Sequence, residues 1–149
     1  MKDILIILLI GIGFYQWTIG GNRKSSLFNN PTPIFLESKS DDTLKNSYEN
    51  RHSNVQVNGV GTVIMLLRDD NKGSRHQKFI LRLTSGQTIL VAHNIDLAPR
   101  INSLSKGDKV EFYGEYEWNN KGGVVHWTHQ DPRGQHVPGW LKHNGTTYQ

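Results

Sequence analysis

The chain has 149 residues, carries a formal net charge of +4 at pH 7 and contains no cysteine. A chain of this length holds one ordinary domain and a leader rather than two domains. The missing cysteines exclude disulfides, thiolate zinc sites and cysteine nucleophiles. A protein that compacts DNA would be more basic and would cluster its charge, whereas no run of lysine or arginine here exceeds two residues.

The first segment is an apolar run of 16 residues, Ile4–Ile19. As a helix this run would span about 24 Å, against roughly 30 Å of membrane hydrocarbon, and that length is typical of a signal-peptide core. We therefore predict that residues 1–19 are a signal peptide or membrane anchor and that the protein is exported, either periplasmic or anchored in the inner membrane. A cytoplasm-facing anchor and a buried N-terminal helix are the alternatives, because the flanking charges do not fix the orientation.

Residues 20–54 are rich in asparagine, serine, aspartate and lysine, with few apolar residues and no periodic pattern. Pro31 and Pro33 disfavour a helix there. Such a composition cannot bury enough apolar surface to become ordered. Residues 20–54 are predicted to be a flexible linker, and residues 55–149 the folded domain.

Beyond the linker the pattern is that of strands separated by turns. The run 55–68 contains Gly59 and Gly61, which permit a bulge or a bend in a long first strand. Alternating apolar residues predict four further strands, over 76–83, 88–93, 109–118 and 123–129. Between the third and fourth strands, residues 94–104 contain Pro99, so they are predicted to be a short helix or a loop.

Five strands with a long, glycine-bent first strand predict a mainly β fold, a small OB-like Greek-key barrel. The bend is needed to curl a five-stranded sheet onto itself. An SH3-like barrel and a small open sheet are the alternatives. The tail, Asp131–Gln149, contains prolines and glycines and is predicted to be a loop that Trp140 and Leu141 hold against the barrel.

Five blocks of the domain stand out as a set: DDNKGSRHQ at 69–77, HNIDLAPR at 93–100, GEYEWN at 114–119, HWTH at 126–129 and GWLKHNG at 139–145. Together they resemble a bacterial domain-of-unknown-function family of small proteins with an N-terminal export or anchor segment. The resemblance covers about residues 55–149 and implies that these form one complete domain. It implies no activity, ligand or catalytic residue, because the family is uncharacterised.

The exit of the last predicted hairpin gathers potential metal ligands, His126, His129 and Asp131. Two imidazoles and a carboxylate suit zinc or manganese, and three ligands leave one position open. Residues three apart on a strand point to opposite faces, so both histidines could share a metal only if the strand ends or bulges between them. Loop histidines bonded to the backbone and a metal-free acid–base pair are the alternatives.

Candidate catalytic residues lie on two other strands. Glu115 and Glu117 share the outer face of the fourth strand and could serve as general base or metal ligand near His126 across the hairpin. His93 ends the third strand at the barrel rim, where His76 could neighbour it. A solvated acidic face and a structural histidine are the alternatives.

Six residues are candidate ligand-binding residues: Arg75, His76, Arg100, Trp118, His136 and Trp140. OB-type barrels bind oligonucleotides and oligosaccharides, and exposed aromatic side chains provide stacking surfaces for such ligands. Trp118 and Trp140 are expected to be exposed, whereas Tyr116 and Trp127 are expected to belong to the core.

The sequence therefore predicts an exported OB-like binding module that recognises a polar or polyanionic ligand, oligonucleotide- or oligosaccharide-like, at a rim rich in histidine and tryptophan. The membrane is a second partner, through residues 4–19, if that segment is not cleaved. The alternative is a metal-dependent hydrolase, a phosphodiesterase or nuclease, that uses the His/Asp cluster with zinc or manganese. A structural envelope protein is the third hypothesis.

Overall fold

The structure is a computed structural model that describes residues 34–149. Within this range it has one helix and seven strands, α1 Ile34–Glu49, β1 Val55–Leu66, β2 His76–Leu83, β3 Thr88–Asn94, β4 Lys109–Glu117, β5 Val124–His126, β6 Trp140–His143 and β7 Thr146–Tyr148. The predictions for residues 1–19 and for the start of the linker lie outside the described residues. In the part that is described, no helix is long and apolar enough to cross a membrane.

Five strands close into a barrel in the order β1–β2–β3–β5–β4–β1. Neighbouring strands are antiparallel except β3 and β5, which run parallel. This is the order of an OB-type Greek-key barrel, so the predicted mainly β fold is confirmed. The connection between β3 and β4 consists of turns, the loop alternative of the prediction.

Closure of the barrel depends on β1, which pairs with β4 over Val55–Thr62 and with β2 over Gly61–Leu66. Gly61 belongs to both ladders. A Cβ at this position would lie 2.9 Å from Cβ of Leu81, closer than carbon atoms approach without a shift. The glycine is therefore required for close packing at the bend that the sequence predicted.

The core fills the interior of the barrel with alternate residues of each strand. Its strand residues are Val57, Val63, Phe79, Leu81, Leu83, Ile89, Val91, Val110, Phe112, Tyr116, Val125 and Leu141. Tyr116 is fully buried, as the sequence predicted, and its hydroxyl donates to the Gly122 carbonyl at 3.1 Å.

The C-terminal tail forms two strands rather than the predicted loop. β6 pairs with β4 over Glu111–Tyr113, along the edge whose other end, at Glu115–Glu117, pairs with β5. β7 then pairs with β6. Leu141 is buried in the core, so the predicted anchoring of the tail is correct. Half-buried and buried residues alternate along Trp140–His143, as is typical of a strand.

Helix α1 lies within the segment that was predicted to be a flexible linker, so that prediction does not hold for residues 34–49. Leu44 is fully buried in the barrel core. Polar contacts supplement it, because the Asp41 carboxylate accepts from the Ser85 backbone at 2.7 Å and the Trp118 indole donates to the Tyr48 carbonyl at 3.0 Å. Over residues 39–49, Leu44 and these hydrogen bonds attach the helix to the barrel, and this part of the sequence has no apolar periodicity.

Candidate functional site

An acidic face and a histidine meet on the outside of the barrel, where β4 pairs with β5. Glu115 is directly opposite His126 in the ladder, and Glu117 lies two residues along the same face. His126 Nε2 is 3.5 Å from Glu115 Oε1 and 3.9 Å from Glu117 Oε1. This nitrogen is buried and has no hydrogen-bond partner. The structure therefore brings these three side chains together, as the hairpin pairing predicted.

The pKa of His126 is lowered from its ordinary value. Burial is the largest cause, and the charges of His136 and His129 act in the same direction. The charges of Glu115 and Glu117 oppose the shift without reversing it. His126 is consequently neutral at pH 7.

Trp127 ends the strand, because its backbone adopts φ +52°. A bulky L-residue rarely occupies this left-handed region, and doing so costs roughly 1–2 kcal/mol. The turn sends His129 into the interior, where it is buried and its Nδ1 donates to the Gln130 carbonyl at 2.7 Å. The strand does end between His126 and His129, yet among the described residues His129 is not part of the group of potential metal ligands that contains His126.

The segment 127–139, which we call the β5–β6 loop, folds back so that His136 reaches the acidic face. Its Nε2 lies 2.8 Å from Glu115 Oε2, and its Nδ1 lies 2.8 Å from the Val137 carbonyl oxygen. A carbonyl and a carboxylate both accept hydrogen bonds, so this arrangement favours the imidazolium form of His136, in which both ring nitrogens donate. Its ring stacks on Trp127 with centroids 4.0 Å apart and planes 7° apart, which is a cation–π contact.

The pKa of His136 is raised above its ordinary value. Burial alone would lower it, but the hydrogen bonds to Glu115 and to the Val137 carbonyl, with the charges of Glu115 and Asp131, outweigh burial. The charged state deduced from the hydrogen-bond geometry and the direction of the pKa shift agree.

Asp131 shapes the β5–β6 loop. Its carboxylate accepts hydrogen bonds from the backbone of Arg133, Gln135 and His136 at 2.8–3.0 Å. These hydrogen bonds lower the pKa of Asp131, that from Arg133 most strongly. Asp131 therefore positions His136, and the Asp131 carboxylate oxygens face the backbone of the loop.

The three ligand atoms that come within 4.8 Å of one another among residues 34–149 belong to Glu115, Glu117 and His126. Of the predicted metal ligands, His126 is in this group, and His129 and Asp131 are not. Two predicted catalytic candidates take their places. The cluster therefore lies where the sequence predicted it, at the hairpin of β4 and β5, but His126 is its one predicted metal-binding residue.

His93, the other catalytic candidate, is fully buried with both ring nitrogens hydrogen-bonded. Nε2 donates to the Pro99 carbonyl at 3.1 Å, so in the neutral ring Nδ1 accepts from the Thr128 hydroxyl at 2.8 Å. Burial lowers the pKa of His93 to about 4. His76 does not share its face, because Gln77 pairs with His93. His93 has the environment of a structural histidine.

The predicted ligand-binding arginines are each held by an aspartate. Arg75 Nε lies 2.7 Å from Asp96, and Arg100 Nε lies 2.9 Å from Asp69. His76 lies 2.8 Å from the Ser74 carbonyl through Nδ1. The two arginines therefore link neighbouring loops, whereas His76 bonds within its own connection.

Trp118, Trp127 and Trp140 do not have the environments that the sequence predicted, because all three are half-buried. Trp118 is half-buried against the core beneath the end of α1, with Arg51 over its ring at 5.4 Å. Trp140 is half-buried and faces Tyr113, with ring centroids 6.2 Å apart. Trp127, expected in the core, is only half-buried and belongs to the loop.

A surface pocket of about 610 Å³ opens beside the β5–β6 loop, lined by Leu97, Trp127, Asp131, Pro132, Arg133, Gln135 and His136. Across the described part of the chain, the Arg133 guanidinium has no ion-pair partner. Leu97 is 43% exposed although apolar. Sequence reasoning missed Leu97 and Gln135, because only the folded loop brings them to the pocket.

A family model described as "Protein of unknown function (DUF3465)" matches residues 29–149 of the chain. The match includes α1 and all of the strands described above, and it confirms the resemblance to an uncharacterised family. A comparison with curated proteins finds no match.

Proposed function

The chain belongs to the family of proteins of unknown function DUF3465, and we propose, from the site itself, that it is a binding module for an anionic ligand. The ligand is oligonucleotide- or oligosaccharide-like and places one unit in the pocket beside Trp127. The observation that carries this proposal is the combination of a strained, stacked tryptophan with an arginine that forms no close ion pair within residues 34–149.

The charge of the pocket favours an anion. Arg133 offers five N–H donors in a planar fork that matches a phosphate or carboxylate. His136 adds a second cation whose charge is shared with Glu115. Asp131 is the opposing charge, but it has already accepted three backbone hydrogen bonds.

The shape of the pocket favours a ligand with a flat or apolar part. Its volume of about 610 Å³ lies within the 300–1,000 Å³ that is usual for ligand sites. Trp127 supplies an aromatic wall and Leu97 an apolar one. Stacking of a base or a sugar ring on an aromatic side chain contributes about 1–3 kcal/mol.

Titration of the full-length protein in detergent tests the proposal. The probes are a short oligothymidylate and a sulfated oligosaccharide, each followed by tryptophan fluorescence at low and at physiological salt. We expect one of them to bind, and Arg133→Ala to weaken its binding by about 10- to 100-fold, since hydrogen bonds to charged groups contribute about 1.5–3 kcal/mol.

Arg75→Ala is the matched control, because it removes the same side chain from a loop where Asp96 already binds it. We expect its affinity to equal that of the unmodified protein. Equal losses in Arg133→Ala and Arg75→Ala, or no binding of either probe, would contradict the proposal.

Export is part of the proposed function, because residues 1–19 have the composition of a signal or anchor segment. A C-terminal fusion of the full chain to alkaline phosphatase, which is active only in the periplasm, tests it. We expect an active fusion, and an inactive one of normal abundance would place the domain in the cytoplasm.

A metal-dependent hydrolase is the second candidate, favoured by one observation. His136 lines the pocket and also bonds Glu115, so the acidic face adjoins any ligand held there. Hydrolysis of an activated phosphodiester by the full-length protein with added zinc or manganese tests this candidate. A rate equal to that of the metal ions alone would remove it.

A further inference from the structure

Three side chains on the outside of the barrel, Glu115, Glu117 and His126, have the donor types of a zinc site, and their ligand atoms lie within 4.8 Å of one another. In a tetrahedral site with ligand bonds of about 2.0–2.2 Å, neighbouring donor atoms lie roughly 3.3–3.6 Å apart. His126 Nε2 is 3.5 Å from Glu115 Oε1 and 3.9 Å from Glu117 Oε1. Small side-chain rotations would bring the donors to coordination distance.

The His126 nitrogen provides an observation that does not depend on the carboxylates. Nε2 is buried and has no hydrogen-bond partner. By contrast, His93 has both ring nitrogens hydrogen-bonded, and His129 has its Nδ1 hydrogen-bonded. A buried polar atom without a partner costs about 1–3 kcal/mol. A cation between this nitrogen and the two glutamates would satisfy all three groups.

The surroundings of the three side chains also suit a metal. His136 donates to Glu115 Oε2, which fixes the carboxylate and leaves Oε1 directed towards His126. Bonds of this kind from outside the coordination sphere orient metal ligands and typically change affinity by 10- to 100-fold. The Glu117 side chain is 32% exposed, so a further ligand could reach the ion from the side of this carboxylate.

We propose that Glu115, Glu117 and His126 bind one zinc ion, with a fourth position open to water or to a ligand. Zinc fits better than magnesium or calcium, which require six or more oxygen donors or near-ideal octahedral geometry. The proposal does not depend on ligand binding in the pocket, and it supplies the cation that a hydrolase would need.

Metal analysis of the untagged full-length protein tests the proposal. All seven histidines follow residue 51, so the N-terminal segment adds no imidazole to the measurement. After incubation with zinc and dialysis, we expect one zinc per chain and a raised melting temperature. Cobalt substitution should give the intense visible absorption of four-coordinate cobalt.

The variants Glu117→Gln and His126→Ala are expected to lose zinc binding by at least 100-fold. His136→Ala should weaken it by about 10- to 100-fold, and His136→Gln, whose amide can still donate to Glu115, should recover part of the loss. His76→Ala and Glu111→Gln are matched controls, because they change the same residue types on the same barrel outside the cluster.

The variant Asp131→Asn separates the proposed site from the one that the sequence predicted, since Asp131 lies outside the cluster. We expect it to keep its zinc. Absence of stoichiometric zinc from the folded, unmodified protein, undiminished zinc in His126→Ala, or a preference for magnesium or calcium over zinc would each overturn the proposal.

Discussion

Cationic side chains project from two loop regions of this barrel, and the regions differ in what holds those side chains. Arg75 precedes β2 and Arg100 follows β3, and each is bound by an aspartate of a neighbouring loop, Asp96 and Asp69. Arg133 lies on the β5–β6 loop and forms no close ion pair in the described range, although its charge helps to lower the pKa of Asp131. The first region uses its charges to join loops, and the second leaves a charge available.

The histidines show the same difference. His93, beneath the first region, has both ring nitrogens bonded. His126, beside the second, has a buried nitrogen that no group satisfies, and Trp127 next to it has a strained backbone. Unsatisfied groups and strain reduce stability, so their occurrence at the adjacent residues His126 and Trp127 favours function there. The density of polar residues does not distinguish the regions, whereas the state of their hydrogen bonds does.

The comparison requires both regions to project from one folded barrel. Replacement of Leu44, the residue of α1 that is buried in the barrel core, tests this and should have the largest effect. Leu44→Ala should lower the free energy of unfolding by about 2–5 kcal/mol, as deletion of a fully buried leucine usually does. Chemical denaturation measures the loss, and exposed Lys45→Ala is the control, expected within about 0.5 kcal/mol. A loss below about 1 kcal/mol would mean that the helix is not part of the domain.

Much of the barrel could be predicted from the sequence, because strand alternation specifies which residues face the core. Alternation identified β1 to β5 within a few residues of their bounds. It missed α1, since over residues 39–49 the hydrophobic core includes Leu44, and hydrogen bonds such as that from the Ser85 backbone to Asp41 supply other contacts. That part of the helix has no apolar stripe for a sequence pattern to show.

The candidate site could be predicted only as far as the hairpin reaches. Pairing of neighbouring strands places Glu115 opposite His126, and that much follows from the sequence. The left-handed turn at Trp127 does not, and it buries His129 and allows His136 to return to the acidic face. A contact of His136 that is set by one backbone angle nine residues earlier has no local signal.

The next largest effect is the pH dependence of stability. Here His93, with both ring nitrogens hydrogen-bonded, differs from the histidines of the second region. The folded-state pKa of His93 is about 4, below its ordinary value of 6.5, so the folded state binds fewer protons than the unfolded state between these values. Its contribution is present above pH 6.5 and is lost as the pH falls towards 4. The shift corresponds to about 3 kcal/mol of stability.

The shifted pKa values of two other histidines, His126 and His136, also make stability depend on pH. The lowered pKa of His126 adds a loss in the same direction. The raised pKa of His136 gives stability that is complete below pH 6.5 and declines above it, so His136 does not contribute to the loss. Denaturation curves at several pH values should show a slope that His93→Gln reduces strongly. An unchanged slope in that variant would show that His93 is not the buried neutral group.

A smaller effect isolates the backbone strain that marks the second region. Trp127→Gly and Trp127→Ala both remove the stack on His136, but only glycine adopts φ +52° without cost. Trp127→Gly should therefore be more stable than Trp127→Ala by about 1 kcal/mol. Thermal denaturation of the pair gives the difference. If the alanine variant is equally stable or more stable, the strand end at Trp127 is not strained.

The smallest effect concerns the ion pairs of the first region. The Arg75 and Arg100 side chains are 56% and 40% exposed, so solvent screens their attraction to Asp96 and Asp69. Arg75→Ala and Arg100→Ala should each cost about 1 kcal/mol or less, because surface ion pairs contribute little. Arg133→Ala should cost still less, since no close ion pair is lost, yet it alone of the three should weaken ligand binding. Denaturation and the fluorescence titration, carried out on the same three proteins, measure both properties. A large stability loss in Arg133→Ala would show that this arginine has a structural role, and the contrast between the two regions would then fail.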